Sequence, residues 1–169
     1  MTTIAYRNGV MAADTMGSWS GDINYGVPKL AKTERFLLGF SGAYSFAHPM
    51  YDWILRKGDT PLHDFYKEPP EFDAGSSGIT VLLAPTDGKG PLWYFAADGN
   101  GSPLWGKDFE AIGSGARFAL GAMHVGADPV RAVRAAIGLD DGTGGDVVTI
   151  AFEDDPCSIF SLDMTPVTA

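Results

Sequence analysis

Apolar and polar positions fall into short blocks along the chain, most with the two-residue period of strands and three with helical spacing. Thr2 to Arg7 and Val10 to Asp14 are β-favouring, and Asn8-Gly9 between them suits a tight turn with positive φ, so the chain opens as a hairpin. GSWSGDINYG, rich in Gly, Ser and Asp, reads as a loop. Phe36-Leu37-Leu38-Gly39-Phe40, bounded by Ser41-Gly42, reads as a buried strand. Phe46, Met50, Trp53 and Ile54 have helical spacing within Tyr44 to Arg56, where Pro49 lacks an amide donor, so the helix starts near it or kinks there. Residues 57–78 carry prolines and no sustained period, and are expected to be an irregular connection.

Ile79 to Ala84, Leu92 to Ala97 and Phe109 to Ile112 follow as strands, separated by DGKG and DGNGS turn material. A helix is expected from about Ala116 to Val125, with Phe118, Leu120 and Met123 available for packing. A second starts at Asp128, with Pro129 at its first position, an apolar stripe of Val130, Val133 and Ile137, and Gly138 as its stop. Val147 to Phe152 and Ser158 to Leu162 close the chain as strands. The order of strands, helix, strands, two helices and strands fits sheets covered by helices on their outer faces. With neither a repeat nor an interdomain linker in view, residues 1–169 are expected to form a single domain.

Composition narrows the function classes. Hydrophobic residues make up 45% and charged residues 20%, too apolar for a disordered tail. Apolar runs stay well short of the roughly 18 residues that span a bilayer, so a membrane protein is not expected. Twelve basic against 21 acidic residues give a net charge of −9, which disfavours binding to nucleic-acid backbones. MTTIAYRNGV lacks the basic start and apolar stretch of a secretory signal, and Cys157 alone forms no internal disulfide, so a cytoplasmic protein is expected.

Candidate chemistry is sparse. His48, His63 and His124 sit in no metal-binding pattern, and HExxH, GxSxG and P-loop motifs are missing. Gly113-Ser114-Gly115 precedes a helix and suits either an anion on its amides or a packing turn. DDGTGGD has the look of a calcium loop but lacks the late glutamate, position 151 being Ala, so a sharp acidic turn is the better reading. The amino terminus is more informative. Thr2 is small enough for removal of Met1 to be expected, and that removal exposes one residue carrying both a hydroxyl and an α-amine. With a reference pKa of about 8, an α-amine acts as a base near neutral pH, within reach of its own Oγ directly or through one water.

TTIAYRNGVMAADT, VPKLAK, LLGFSGA, AIGSGA and DDGTGGD, in this order over about residues 2–152, closely resemble the signatures of proteasome β-type subunits and the bacterial HslV peptidase, which are N-terminal nucleophile hydrolases. The resemblance implies an α+β fold, a four-layer αββα sandwich of two antiparallel sheets flanked by helices. It implies Thr2 as nucleophile, Asp14 as the buried acid that orients the active-site lysine, and Lys29 as that lysine. Gly42 matches the residue whose N–H helps form the oxyanion hole, and Ser114, Asp140 and Thr143 match the polar set around the nucleophile's amine. Thr143 stands where many relatives have Ser, with the hydroxyl retained.

The activity so implied is hydrolysis of peptide bonds through an acyl-enzyme on Thr2, without cofactor or metal, although carbonyls near Asp140–Thr143 are a place for a cation. Peptide or unfolded protein would be the substrate, a homo-oligomeric ring the assembly, and an ATP-dependent unfoldase a further partner. Met16, Tyr25 and Val27 are expected where the substrate pocket is lined. The chain departs from the pattern in its short 57–78 segment, where relatives have a second long helix, and in Pro49. As in HslV, no long propeptide is expected before Thr2. Two other readings keep most of this: an amidohydrolase acting on a non-peptide amide, and a catalytically silent ring subunit, against which intact Thr2, Asp14 and Lys29 argue.

Overall fold

In the computed structural model, which describes residues 2–71 and 78–157, Asn8 and Gly9 both take positive φ (50° and 79°) and fold the chain back on itself. Strand β1 (Thr3–Arg7) thereby pairs antiparallel with β2 (Val10–Asp14). Next come β3 (Gly17–Trp19), β4 (Asp22–Asn24), β5 (Leu30–Lys32) and β6 (Phe36–Gly42). Helix α1 (Ala47–Arg56) leads through residues 57–78 to β7 (Ile79–Pro85), β8 (Leu92–Ala96), β9 (Gly101–Leu104) and β10 (Phe109–Gly113). Helices α2 (Ala116–His124) and α3 (Pro129–Ile137) and strand β11 (Val147–Ala151) complete the order.

Two antiparallel sheets carry the fold, one in the order β10-β1-β2-β11 and the other β5-β6-β7-β8-β9. Alternation along each strand divides its side chains between two faces. In β1, Ile4 and Tyr6 join Met11, Leu37, Leu82 and Val148 between the sheets, while Ala5 joins Ala12, Ala119 and Val133 beneath α2 and α3. On the far side of the second sheet, Phe40, Val81 and Phe95 pack against Met50, Trp53 and Ile54 of α1. The result is four layers, αββα. The sheets approach closely at Gly39, where a Cβ would lie 2.5 Å from Ile4 Cγ2.

Several boundaries have local causes. Asp128 caps α3 by accepting a hydrogen bond from the Arg131 N–H at 2.8 Å, with Pro129 at the first position. Pro49 is the third residue of α1, within the first turn, where its missing N–H leaves no helical bond unmade. Residues 57–78 hold a short 3₁₀ turn at Leu62–Lys67, whose Phe65 is buried against Trp53 and Phe95.

Two expectations need correction, and one strand lies where none was assigned. GSWSGDINYG is a two-stranded ribbon, β3–β4, because Ser20 and Gly21 take positive φ (52° and 93°) and make another tight hairpin turn. The DGNGS region runs into strand β9, which tolerates Pro103 because it is an edge strand. Leu30–Lys32 forms β5, too short to show a period. Ser158 to Leu162 lies outside the described residues.

Candidate active site

Asp14 ends β2 in register with Val147 of β11 and is fully buried. Its Oδ1 accepts hydrogen bonds from Lys29 Nζ at 2.7 Å and the Thr3 N–H at 2.8 Å. Its Oδ2 accepts from the Gly144 N–H at 3.0 Å and the Met16 N–H at 3.2 Å. Four donors on one carboxylate explain how a charge sits at this depth.

Lys29, just before β5 and 3% exposed, also donates to the Met16 carbonyl at 2.6 Å. Burial pushes its ammonium below the ordinary lysine value, and the charge and hydrogen bond of Asp14 oppose that fall without cancelling it. The end of β2 supplies the acid and the segment just before β5 supplies the lysine.

Thr2 precedes β1 and is 4% exposed. With Lys29 and Gly42 it lines a cleft of about 260 Å³, whose walls include Ser18, Trp19, Val27 and Ser41. Gly42 ends β6 with φ 114°, and a Cβ there would stand 2.2 Å from the Gly78 carbonyl oxygen, so glycine is required on two grounds.

The other sequence candidates meet Thr2 from the helical side. The Thr2 N–H donates to Ser114 Oγ at 3.3 Å, and Ser114 Oγ donates to Asp140 Oδ2 at 2.7 Å. Thr143 Oγ1 donates to the same oxygen at 2.7 Å and contacts Thr3 Oγ1 at 2.7 Å. Burial pushes the Asp140 carboxyl up, yet the Thr143 and Ser114 hydroxyls, the Gly142 N–H and the charge of Arg117 hold it below the ordinary carboxylate value. All seven candidates thus gather around residues 2 and 3: Thr2, Lys29 and Gly42 on the cleft, Asp14 behind Lys29, Ser114 at the Thr2 nitrogen, Asp140 behind Ser114, and Thr143 between Asp140 and the Thr3 hydroxyl.

Pocket lining differs from expectation. Val27 lines the cleft, whereas Met16 is buried with its carbonyl on Lys29 and Tyr25 is 67% exposed away from it. The two glycines of Gly113-Ser114-Gly115, which the sequence left as an anion site or a packing turn, are equally constrained. Gly113 lies against the Thr2 carbonyl, and Gly115 leaves room for the Thr3–Thr143 hydroxyl pair. The only sequence signal for them was the GSG spacing itself. Among the described residues, no three His, Cys, Asp or Glu side chains converge as a metal would require, and no helix is long and apolar enough to cross a membrane.

Neither a family model nor a curated protein matches the chain. Solved structures do. Thiobacillus denitrificans BPH in complex with epoxomicin superposes with a TM-score of 0.64 at 22% identity, covering 93% of this chain and 98% of that one. BPH alone gives a TM-score of 0.62 at 22% identity, over 91% and 99%. HslV from Trypanosoma brucei gives 0.66 at 18% identity, over 89% and 98%. Such end-to-end coverage at such low identity is a statement about architecture: this chain has the N-terminal nucleophile hydrolase fold, the αββα sandwich shared with HslV.

Proposed function

We propose that the chain is a threonine endopeptidase of the proteasome and HslV type, active once cleavage of the Met1–Thr2 bond exposes the Thr2 amine. The observation that carries the reading is the presence of Thr2, Lys29 and Gly42 on one cleft, with Asp14 fully buried behind the lysine. The fold shared with HslV, and the BPH structure solved with epoxomicin, add support.

In this reading Thr2 Oγ1 attacks the scissile carbonyl carbon while its proton passes to the Thr2 amine, directly or through a water. Lys29, kept charged by Asp14, disfavours protonation of that amine and stabilises the developing alkoxide. The Gly42 N–H stabilises the oxyanion, a contribution of roughly 3–4 kcal/mol by analogy with other oxyanion donors. The amine then gives its proton to the leaving nitrogen and the C–N bond breaks, leaving an ester on Thr2. Water, deprotonated by the same amine, attacks the ester, and Thr2 Oγ1 recovers its proton. The residues supply every proton carrier, so the reaction needs no cofactor.

The substrate class is peptide or unfolded protein. A homo-oligomeric ring, an ATP-dependent unfoldase and a cytoplasmic location belong to the same proposal. The test is intact mass spectrometry after treatment with epoxomicin. The expected result is loss of one methionine and gain of one adduct on Thr2, missing in Thr2→Ala, together with hydrolysis of fluorogenic peptides. A correctly folded, trimmed protein that takes no label and cuts no peptide overturns the reading.

A further inference from the structure

We propose that Thr3 is a positioning residue whose hydroxyl fixes the direction of the hydrogen bonds reaching the Thr2 nitrogen; the inference rests on the peptidase reading. Thr3 is fully buried, and strand alternation turns its side chain from the inter-sheet face of Ile4 toward the layer beneath α2 and α3.

A hydroxyl has one proton to give, so the directions follow from counting. The ionised carboxylate of Asp140 only accepts, and it takes the Thr143 proton at 2.7 Å and the Ser114 proton at 2.7 Å. Thr143 Oγ1, its proton spent, receives the Thr3 proton across 2.7 Å. Ser114 Oγ has two acceptors in reach, Asp140 Oδ2 at 2.7 Å and the Thr2 carbonyl at 3.4 Å; the shorter, charged one takes the proton, and the oxygen presents a lone pair to the Thr2 nitrogen at 3.3 Å. The relay therefore runs from Thr3 through Thr143 to Asp140, and back from Asp140 through Ser114 to Thr2.

In the trimmed protein, Ser114 would hold one amine N–H and leave the nitrogen lone pair for the Thr2 hydroxyl proton. Without the Thr3 hydroxyl, Thr143 Oγ1 loses its donor and is free to turn from Asp140. The less compensated Asp140 charge then favours a protonated Thr2 amine.

Two separate observations single out this hydroxyl. A Cβ on Gly115 would lie 2.1 Å from Thr3 Oγ1 and 2.8 Å from Thr143 Oγ1, so the turn before α2 is shaped around the pair. Thr3 is also where the two networks meet, since its N–H donates to the Asp14 oxygen that binds Lys29. Substituting the side chain leaves that backbone contact in place.

The experiment uses the trimmed protein with Thr3→Val, which keeps shape and strand propensity, Thr3→Ala, which removes the hydroxyl without a second methyl, and Thr3→Ser, which restores it. Fluorogenic-peptide kinetics across pH are paired with titration of the Thr2 amine by amine-reactive labelling, read by mass. The expected outcome for Val and Ala is a fall of about tenfold in kcat, KM within about twofold, and a Thr2 amine pKa raised by about half a unit, which moves the acidic limb of kcat/KM to higher pH. Thr3→Ser returns to the parent profile. If the parent cuts no peptide but its amine pKa still rises in Thr3→Val and Thr3→Ala, the relay stands and the peptidase reading falls. An unchanged amine titration in whichever of the two folds overturns the relay, as does a Thr3→Ser that behaves like them.

Discussion

Gly113→Ala tests whether close backbone approach, rather than any reactive side chain, holds Thr2 in place. Gly113 closes β10 opposite Thr3 with φ 97°, and an added Cβ would stand 2.0 Å from the Thr2 carbonyl oxygen and 2.7 Å from its carbon. Reaching even the shortest tolerated separation, 3.0 Å, requires the Thr2 carbonyl to withdraw by about 1 Å. The left-handed backbone alone costs an alanine roughly 1–2 kcal/mol. Relief of the contact adds about 1 kcal/mol more, for a melting temperature lower by roughly 5–10 °C in a chain of this length. A 1 Å displacement of the nucleophile is worth about a hundredfold in rate. Gly126 provides the control: its φ is 100°, yet a Cβ there meets nothing within 4 Å. Gly126→Ala should therefore show the backbone cost without loss of kcat. Differential scanning calorimetry and peptide hydrolysis on the two variants separate strain from contact. Equal kcat in both would refute the argument that Gly113 positions Thr2, and a parent-like melting temperature in Gly113→Ala would refute the contact itself.

Three further outcomes are expected. Gly121 lies exposed in α2 with nothing within 4 Å of a built Cβ, so Gly121→Ala should stabilise the fold by about 0.5–1 kcal/mol in urea titration. Asp14→Ala removes the carboxylate from the buried Lys29 ammonium and from the Thr3 and Gly144 N–H groups, while the Met16 N–H keeps the Gly144 carbonyl, and it should cost about 3–5 kcal/mol in the same assay and abolish hydrolysis. Burial lowers the Lys29 pKa in the folded state, so between that value and the unfolded value of about 10.4 the unfolded chain binds more protons. Stability should accordingly rise with pH through that window by an increment that Lys29→Met removes; a wild-type-minus-variant difference that is flat or falls with pH refutes the assignment.

Much of the fold was legible because local signals agreed with the global pattern. Asn8-Gly9 named the first hairpin, and Asp128-Pro129 named the start of α3. The misses share a cause. Ser20 takes a positive φ that is uncommon for its residue type, so composition alone read a ribbon as a loop. Strands β5 and β9 are held by their neighbours β6 and β8, and three or four residues carry too little periodicity to show it. The order of motifs pointed to the seven site residues, but partners 112 and 140 positions apart, such as Thr2–Ser114 and Thr3–Thr143, meet only because β1 pairs with β10 and α3 returns the chain to residue 140. What constrains Thr3, Gly113 and Gly115 stayed hidden for the same reason, although the GSG motif itself was in view: it is space, and space does not appear in spacing.

The two carboxylates flanking residues 2 and 3 divide the work between charge and direction. Asp14 takes an ammonium and three backbone N–H groups, donors that no hydroxyl rotation can reverse, so it fixes where a positive charge sits beside the nucleophile. Asp140 takes two side-chain hydroxyls, each of which can turn, and a turned hydroxyl would offer a proton where the Thr2 nitrogen needs an acceptor. A rotatable relay is therefore reliable only when its far end is also tied down, and Thr3, pinned by its own N–H to Asp14, supplies that tie. The rigid network anchors the directional one through a single residue, which is why a buried threonine with no reacting atom of its own matters to the chemistry next door.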